Sequence, residues 1–410
     1  MATLPLADPP AAGMQGGAVA AGADLIDPVD RGSAIAAASL LIALNQLVIN
    51  VQPLLIGALA RHRGLDDGEL GLVSSALVGG ALLASSTAPF WVRRVNWRRT
   101  TTLALLLAAL MFWVTSLVTG FGWLCLAFAL AGLMKGMIGA PSFVCLGDTS
   151  RPERNFGTSV AVQAIVAAAA AVPMAGYLIP AYGLSGVLYS LIAAMAVGLV
   201  AVRFLPASGR GSEQAHGARV KVPAWRLLPF IAVLLAMMLF TIGVTSFWFF
   251  LERIGTAQSI PAATIGLAVS GTALVSIPGS FAVTWLSRWL GGLQFIVLGS
   301  LLIVAGFALV AVPEPVAFMA GSLIFAIGWG IAQPGYWALA READPTSRLF
   351  VLSSAVAGLA SVITGLIAGP MIGLNGYTGL IVMSGLFVAA GIALCVLIKP
   401  IAARMPPMAD

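Results

Sequence analysis

From Ser33 onward the chain is a succession of long apolar runs separated by short polar connections. The runs fall near residues 33–60, 69–92, 100–119, 121–147, 157–181, 185–205, 226–252, 261–286, 293–312, 315–340, 349–374 and 377–399. Each is long enough to cross ~30 Å of hydrocarbon as a helix. The expected fold class is therefore all-α integral membrane, with twelve transmembrane helices. Composition leaves no soluble alternative. Of 410 residues, 60% are hydrophobic and only 9% are charged, against about 25% charged in a soluble domain. The longest polar connection, PASGRGSEQAHGARVKVP, precedes the seventh run. It divides the chain into a six-helix bundle at 33–205, a cytoplasmic linker at 206–225 and a second bundle at 226–399. Tails at 1–32 and 400–410 flank them. The first tail is rich in Ala, Gly and Pro and has four aspartates but no Lys or Arg up to Asp30. A signal peptide needs a positive start, so this segment is expected to be a disordered cytoplasmic tail.

The basic residues set an orientation. With both termini cytoplasmic, inside segments hold 17 of the 21 Lys and Arg residues, and outside loops hold only Arg61, Arg63 and Arg253. The remaining one is Lys135, inside a run. That asymmetry fits the positive-inside rule and requires an even number of crossings. The formal charge of +6 then belongs to cytoplasmic loops facing lipid, and no basic patch with interleaved aromatics points to nucleic acid. Cys125, Cys145 and Cys395 have no CxxC spacing, and His62 and His216 are not clustered. No metal, disulfide or cofactor is expected. No phosphate loop or catalytic constellation is present, so the chain is not expected to be an enzyme.

Lys135 is the most informative single residue. It stands 12 residues before the end of the fourth run, or ~18 Å at 1.5 Å per residue, near mid-bilayer. A lysine at that depth costs on the order of 3 kcal/mol to insert. None of the 15 acids lies mid-run to neutralise it. Lys135, Ile138, Gly139, Ser142 and Cys145 form one helical stripe, the more polar side of this helix. The functional expectation is that Lys135 binds an anionic group of a ligand. The alternatives are a structural cation that bonds carbonyls freed by a proline, or a lysine left neutral by burial.

The two halves repeat one another. Leu70-Gly71-Leu72 with Ser75 returns as Ile265-Gly266-Leu267 with Ser270. Arg94 is answered by Arg288, Pro141 by Pro334, and Pro173-Met174-Ala175-Gly176 by Pro370-Met371-Ile372-Gly373. The offsets are 195, 194, 193 and 197 residues, a single register that indicates duplication.

Twelve helices in two six-helix repeats around a charged central loop resemble the major facilitator superfamily, from Ser33 to Lys399. That family carries a G-x-L-A-D-R-x-G-R-R signature between its second and third helices. The matching segment is Trp91-Val92-Arg93-Arg94-Val95-Asn96-Trp97-Arg98-Arg99, which keeps arginines but has Arg93 where the acid belongs. The second copy, Ser287 to Gly292, also lacks the acid. The resemblance implies a secondary transporter working by alternating access, with a site at mid-membrane between the halves. It places substrate contacts on helices 1, 4, 7 and 10: Asn45 and Gln52; Lys135 and Ser142; Thr245; Trp329, Gln333 and Tyr336. Helix 5 adds Gln163. Trp329, Gln333 and Tyr336 share a face by spacing. Phe249, Phe250 and Trp248 are expected to meet lipid or the interface.

Gating or coupling is expected of Arg94, Arg98 and Arg288, and of two mixed-charge clusters. These are Asp148, Arg151, Glu153 and Arg154 after helix 4, and Arg341, Glu342, Asp344 and Arg348 after helix 10. The clusters are expected to form ion pairs between the halves on the cytoplasmic side. Glu252 is expected to pair with adjacent Arg253, with proton carrying as its alternative role. The whole reads as a monomeric symporter in the inner membrane, taking up a small organic anion such as a carboxylate, with protons as candidate partners. An exporter of drugs or metabolites and a non-transporting receptor or accessory subunit are the alternatives.

Overall fold

The computed structural model describes residues 27–209, 224–286, 289–343 and 352–403. The regular structure in them is helical throughout. The first span is α1 (Gly32–Asn50) and α2 (Gln52–Arg63), interrupted at Val51. Next come α3 (Asp67–Trp91), α4 (Trp97–Leu117) and α5 (Phe121–Gly147). The fifth span is α6 (Pro152–Pro173), a π-helical turn at Met174–Leu178 and α7 (Ile179–Tyr182), and the sixth is α8 (Leu184–Ala201). The second half holds α9 (Ala224–Ala257), α10 (Ala262–Leu286), α11 (Gly292–Val310), α12 (Pro315–Ala343) and α13 (Leu352–Ala403). Gly376, at φ 65° and ψ −172°, divides α13 into two spans. Among the described residues the crossings number twelve, as the apolar runs require. Successive crossings put Gly32, Trp91 and Gly147 on one side, the near face, and Arg63, Asp67 and Tyr182 on the other, the far face.

Local chemistry explains the helix ends. Asp66 caps α3, accepting from the Glu69 amide while the Glu69 carboxylate accepts from Asp66 N–H, which satisfies two donors that a helix start leaves open. Asn96 caps α4 through the Arg99 amide. Gly64 ends α2 in the left-handed region, at φ 64°.

Within each half, glycine lets backbones touch, as packing in lipid favours. The α11–α12 pair shows the rule. Gly292, Gly299 and Gly306 recur every seven residues and meet Gly335, Gly328 and Gly321 in reverse order. A Cβ on Gly328 would lie 2.6 Å from the Gly299 carbonyl oxygen, and one on Gly335 2.8 Å from that of Gly292. On α5, Gly132 packs on Leu77 and Gly136 on Ala81 and Ala84 of α3.

Phe249 and Phe250 are fully buried, a correction to the lipid-facing expectation. Helix α9 is packed by α2, α10, α12 and α13, so this part of it has little face left for lipid. Phe247, Phe307 and Phe325 form an aromatic knot beside them, with centroids 4.4 to 5.9 Å apart. The halves meet where α3 packs on α13, α10 on α6 and the π turn, and α2 on α9.

Candidate functional site

Among the described residues, only two charged side chains are buried: Lys135, 5% exposed, and Glu252, 4% exposed. They mark two different zones.

Lys135 lies in the first half, where α5 packs on α3 and α1. Gly139, one turn along, rests against Asn45 of α1; a Cβ there would lie 2.6 Å from Asn45 Nδ2. The two helices run antiparallel, so Lys135 is about 6 Å nearer the far face and level with Ile49, beside the interruption at Val51. Lys135 has no ion pair or hydrogen bond among the described residues. The proline-freed carbonyl that would make it a structural cation is not bonded to it. Asn45 spends its Nδ2 on Gln46 at 3.4 Å, and its buried Oδ1 has no partner. Gln52, 1% exposed, has an unpartnered Oε1. Ser142 is buried but donates to Ile138 O in its own helix.

The second half contributes less than its sequence pattern suggests. Trp329 is 41% exposed and Gln333 is 9% exposed. Tyr336 is instead fully buried, against Phe240 at 4.6 Å and close to Gly391. One helical face thus serves two environments: open surface at mid-helix, and the α9–α13 interior beyond Pro334. Thr245 bonds Thr364 Oγ1 at 2.7 Å and the Thr241 carbonyl, a tie within its own half. Gln163 is half-buried on α6.

The second zone closes the far face. Glu252 on α9 crosses to Arg61 on α2, which donates to its Oε1; Thr256 Oγ1 donates to the same oxygen at 3.2 Å. Gly57, one turn before Arg61, makes the crossing possible, because any Cβ there would overlap the Glu252 carboxylate. Arg253 turns to Asp67 of α3 at 3.1 Å, and Tyr377 donates to the same carboxylate at 2.9 Å. The expected Glu252–Arg253 pair is therefore corrected. Adjacent residues on a helix point about 100° apart, and each finds its partner in the other half. Arg63 donates to the Thr115 and Ser116 carbonyls. Arg61 and Glu252 line a cavity of about 810 Å3 with His62, Ala175, Thr256 and Gly266. Sequence reasoning missed Arg61, Asp67, Arg253, Tyr377 and the half-buried Trp248 as closing residues. A signal was present: Arg61, Arg63 and Arg253 were the only three cations left on that side, and each is now bonded.

On the near face, Arg93, at the family's acid position, holds Asp148 with bonds of 2.8 and 3.0 Å. The hydrogen bond to Asp148 raises the Arg93 pKa. It ties the α3–α4 connection to the end of α5 within one half, a correction to the expected pairing of Asp148 between halves. Arg98 donates to the Leu205 carbonyl at 3.1 Å. Arg94, Arg151 and Arg341 are exposed. Arg288, Asp344 and Arg348 lie outside the described residues, as do residues 1–26 of the expected tail and residues 210–223 of the linker. The inter-half bonds of Ser75, Trp248, Glu252, Arg253 and Tyr377 lie from mid-bundle to the far face.

Two duplicated bundles of apolar crossings, tied together toward one end by hydrogen bonds and ion pairs, define a multi-pass membrane architecture. The sequence matches the Major Facilitator Superfamily profile over residues 35–349, and the chain belongs to that superfamily, whose members are transporters and not enzymes. Among solved structures it is similar to a variant of the nucleoside transporter NupG, at 14% identity and TM-score 0.70, covering 89% of this chain and 99% of that one. NupG itself matches at 14% identity and TM-score 0.67, covering 92% and 100%. A bacterial homologue of the human lysosomal transporter Spinster, solved inward-facing and unoccupied, matches at 14% identity and TM-score 0.62, covering 90% and 96%. Likeness at this identity establishes the fold. No curated protein sequence matches the chain.

Proposed function

We propose that the chain is a monomeric inner-membrane symporter that takes up a small organic anion, a carboxylate, with both termini cytoplasmic and Lys135 as the anion's partner. The observation that carries this reading is a buried lysine with no partner among the described residues, level with an interrupted helix. Its insertion cost, on the order of 3 kcal/mol, is offset when a carboxylate docks. Asn45 and Gln52 supply further polar contacts from α1 and α2, and Trp329 and Gln333 from the facing half. With the near face cytoplasmic, the far-face bonds describe a state closed to the outside. If transport is proton-coupled, Glu252 is the buried acid available for it.

A second reading has its own support. The unpartnered amide oxygens of Asn45 and Gln52 suit an uncharged, hydrogen-bonding solute, and NupG is a nucleoside transporter by name. Uptake of labelled monocarboxylates, dicarboxylates and nucleosides into reconstituted vesicles separates the two. Lys135→Ala is expected to weaken carboxylate affinity about 10- to 100-fold, the worth of one charge-assisted hydrogen bond, with an unchanged melting temperature. Unchanged affinity would remove the anion reading. A large loss of folded protein would restore the structural one.

A further inference from the structure

The Ile49 carbonyl lacks the partner a helix would give it. The residue four positions on is Pro53, which has no N–H to return. Backbone geometry departs from helical at the same point, with Val51 at φ −102° and ψ 10°. The vacancy is filled from the other half of the molecule: Trp248 of α9 donates its indole N–H to Ile49 O at 3.0 Å. Trp248 is held in that pose by Phe325 of α12, stacked at 6.3 Å and 14°, itself locked in the aromatic knot with Phe247 and Phe307.

Heights place this contact. Ile49 is level with Lys135, from the Gly139–Asn45 packing. Trp329 lies one turn from Phe325 on α12, on the same side and about 6 Å nearer the near face. The Glu252 carboxylate that Arg61 binds lies against Gly57, eight residues beyond Ile49 along the first span, or about 12 Å nearer the far face. Trp248 therefore meets the first half level with Lys135, one turn above Asn45 and Trp329 and beneath the outer ion pair.

We infer that Trp248 is the ceiling of the substrate site and its far-side gate, and that the latch holding it shut is the carbonyl Pro53 sets free. The ceiling role rests on the mid-membrane site proposed above; the latch does not. A sequence with Ala at position 53 would pair Ile49 O inside its own helix. Proline makes that carbonyl an acceptor for the opposite half, available when the halves close and released when they part. The indole also narrows the site on its far side, between Asn45 and Gln52, so its size limits the substrate's length.

The latch is tested without any substrate. With Cys125, Cys145 and Cys395 replaced by serine, Ile265→Cys is the probe; Ile265 is 4% exposed and lines the far-face cavity. Its labelling by a membrane-impermeant maleimide reports far-side opening. Trp248→Phe, which keeps the stacked ring and removes the N–H, is expected to speed labelling about threefold to tenfold, the worth of one hydrogen bond. Pro53→Ala, which restores the helical donor, should do the same. The decisive result is the double variant: labelling no faster than in either single variant supports the latch, because both changes remove one bond. Multiplying effects, or unchanged labelling in Trp248→Phe, overturn it. Melting temperatures check that each variant is folded, and Pro53→Ala favours helix instead of breaking it. For the ceiling, Trp248→Ala is expected to admit carboxylates one or two carbons longer than the parent transports. An unchanged length limit overturns the ceiling. If carboxylates are not transported by any form while labelling responds as expected, the latch stands and the substrate reading falls.

Discussion

The two seams joining the halves are copies of one another, yet they close differently. Gly71 and Ser75 of α3 face α13, and their duplicates Gly266 and Ser270 of α10 lie where α10 faces α6 and the π turn. On the first seam a Cβ on Gly71 would overlap the Gly365 carbonyl oxygen, and one on Gly369 would overlap the Asp67 carbonyl. Ser75 donates to Val362 O at 2.7 Å, and Asp67 binds both Tyr377 and Arg253. On the second seam a Cβ on Gly266 would lie 2.6 Å from the Ala175 methyl, with the Ala175 backbone no nearer than 3.6 Å. Ser270 Oγ is buried without a partner, and Ala175, Ile265 and Gly266 border the 810 Å3 cavity. The cause is legible in the repeat. At its offset of 197, Gly365 and Gly369 correspond to Ala168 and Val172. Glycine lets two backbones touch, and the second seam has no glycine at these two positions. Duplication fixed the architecture, and a few side chains made one seam tight and the other loose.

The largest expected effect lies beside the loose seam. Arg61→Ala leaves the Glu252 carboxylate buried with no counter-charge, a loss on the order of 3 kcal/mol from the far-closed state. Labelling of the Ile265→Cys probe should rise about 100-fold, and adding Glu252→Gln should recover most of the closure. Asp67→Asn on the tight seam should cost less, because glycine packing and Ser75 remain. Equal effects of Arg61→Ala and Asp67→Asn would contradict the contrast between the seams.

A smaller effect is expected from the two glycines. Gly71→Ala forces a methyl group against backbone that has no rotamer to yield, at about 2 kcal/mol. Gly266→Ala meets the Ala175 methyl, which has no rotamer to yield either but borders the cavity into which the helices can part, and should cost less, about 1 kcal/mol. Melting temperatures of the two variants in detergent compare them directly. A larger drop for Gly266→Ala would reverse the assignment of tight and loose.

Much of the fold was readable because lipid is an unforgiving solvent. A crossing segment must bury its own hydrogen bonds, so twelve apolar runs give twelve helical crossings, and the repeat gives the two halves. Partners across the halves were not readable. Glu252 and Arg61 are 191 residues apart in sequence, and nothing local distinguishes that pairing from Glu252 with Arg253. Periodicity assigned Trp329, Gln333 and Tyr336 to one face correctly as geometry, but it could not say that the face turns from open surface to packed interior along its length. Phe249 and Phe250 failed for a related reason: a helix surrounded on most sides has no lipid face to which aromatics could be assigned. Pro53 was visible, and its freed carbonyl follows from the missing N–H. That Trp248 would supply the donor required the packing of α2 on α9.

The smallest test is the most selective. Ser75 and Ser270 are the same residue in the two copies, both buried, at 7% and 4% exposure. Only Ser75 has a partner across its seam. Ser75→Ala removes a hydrogen bond in the membrane, worth about 0.6 kcal/mol on average, and leaves the Val362 carbonyl short of that donor. Ser270→Ala removes a hydroxyl that has no partner, so the change should be near zero or slightly stabilising. Chemistry, volume and helix environment are matched, so the difference reports the seam alone. Far-side labelling of the Ile265→Cys probe should therefore rise about threefold in Ser75→Ala and stay level or fall in Ser270→Ala. The opposite order would mean that the α10–α6 seam carries closure. The cavity beside it would then be an accident of loose packing, not the place where the halves part first.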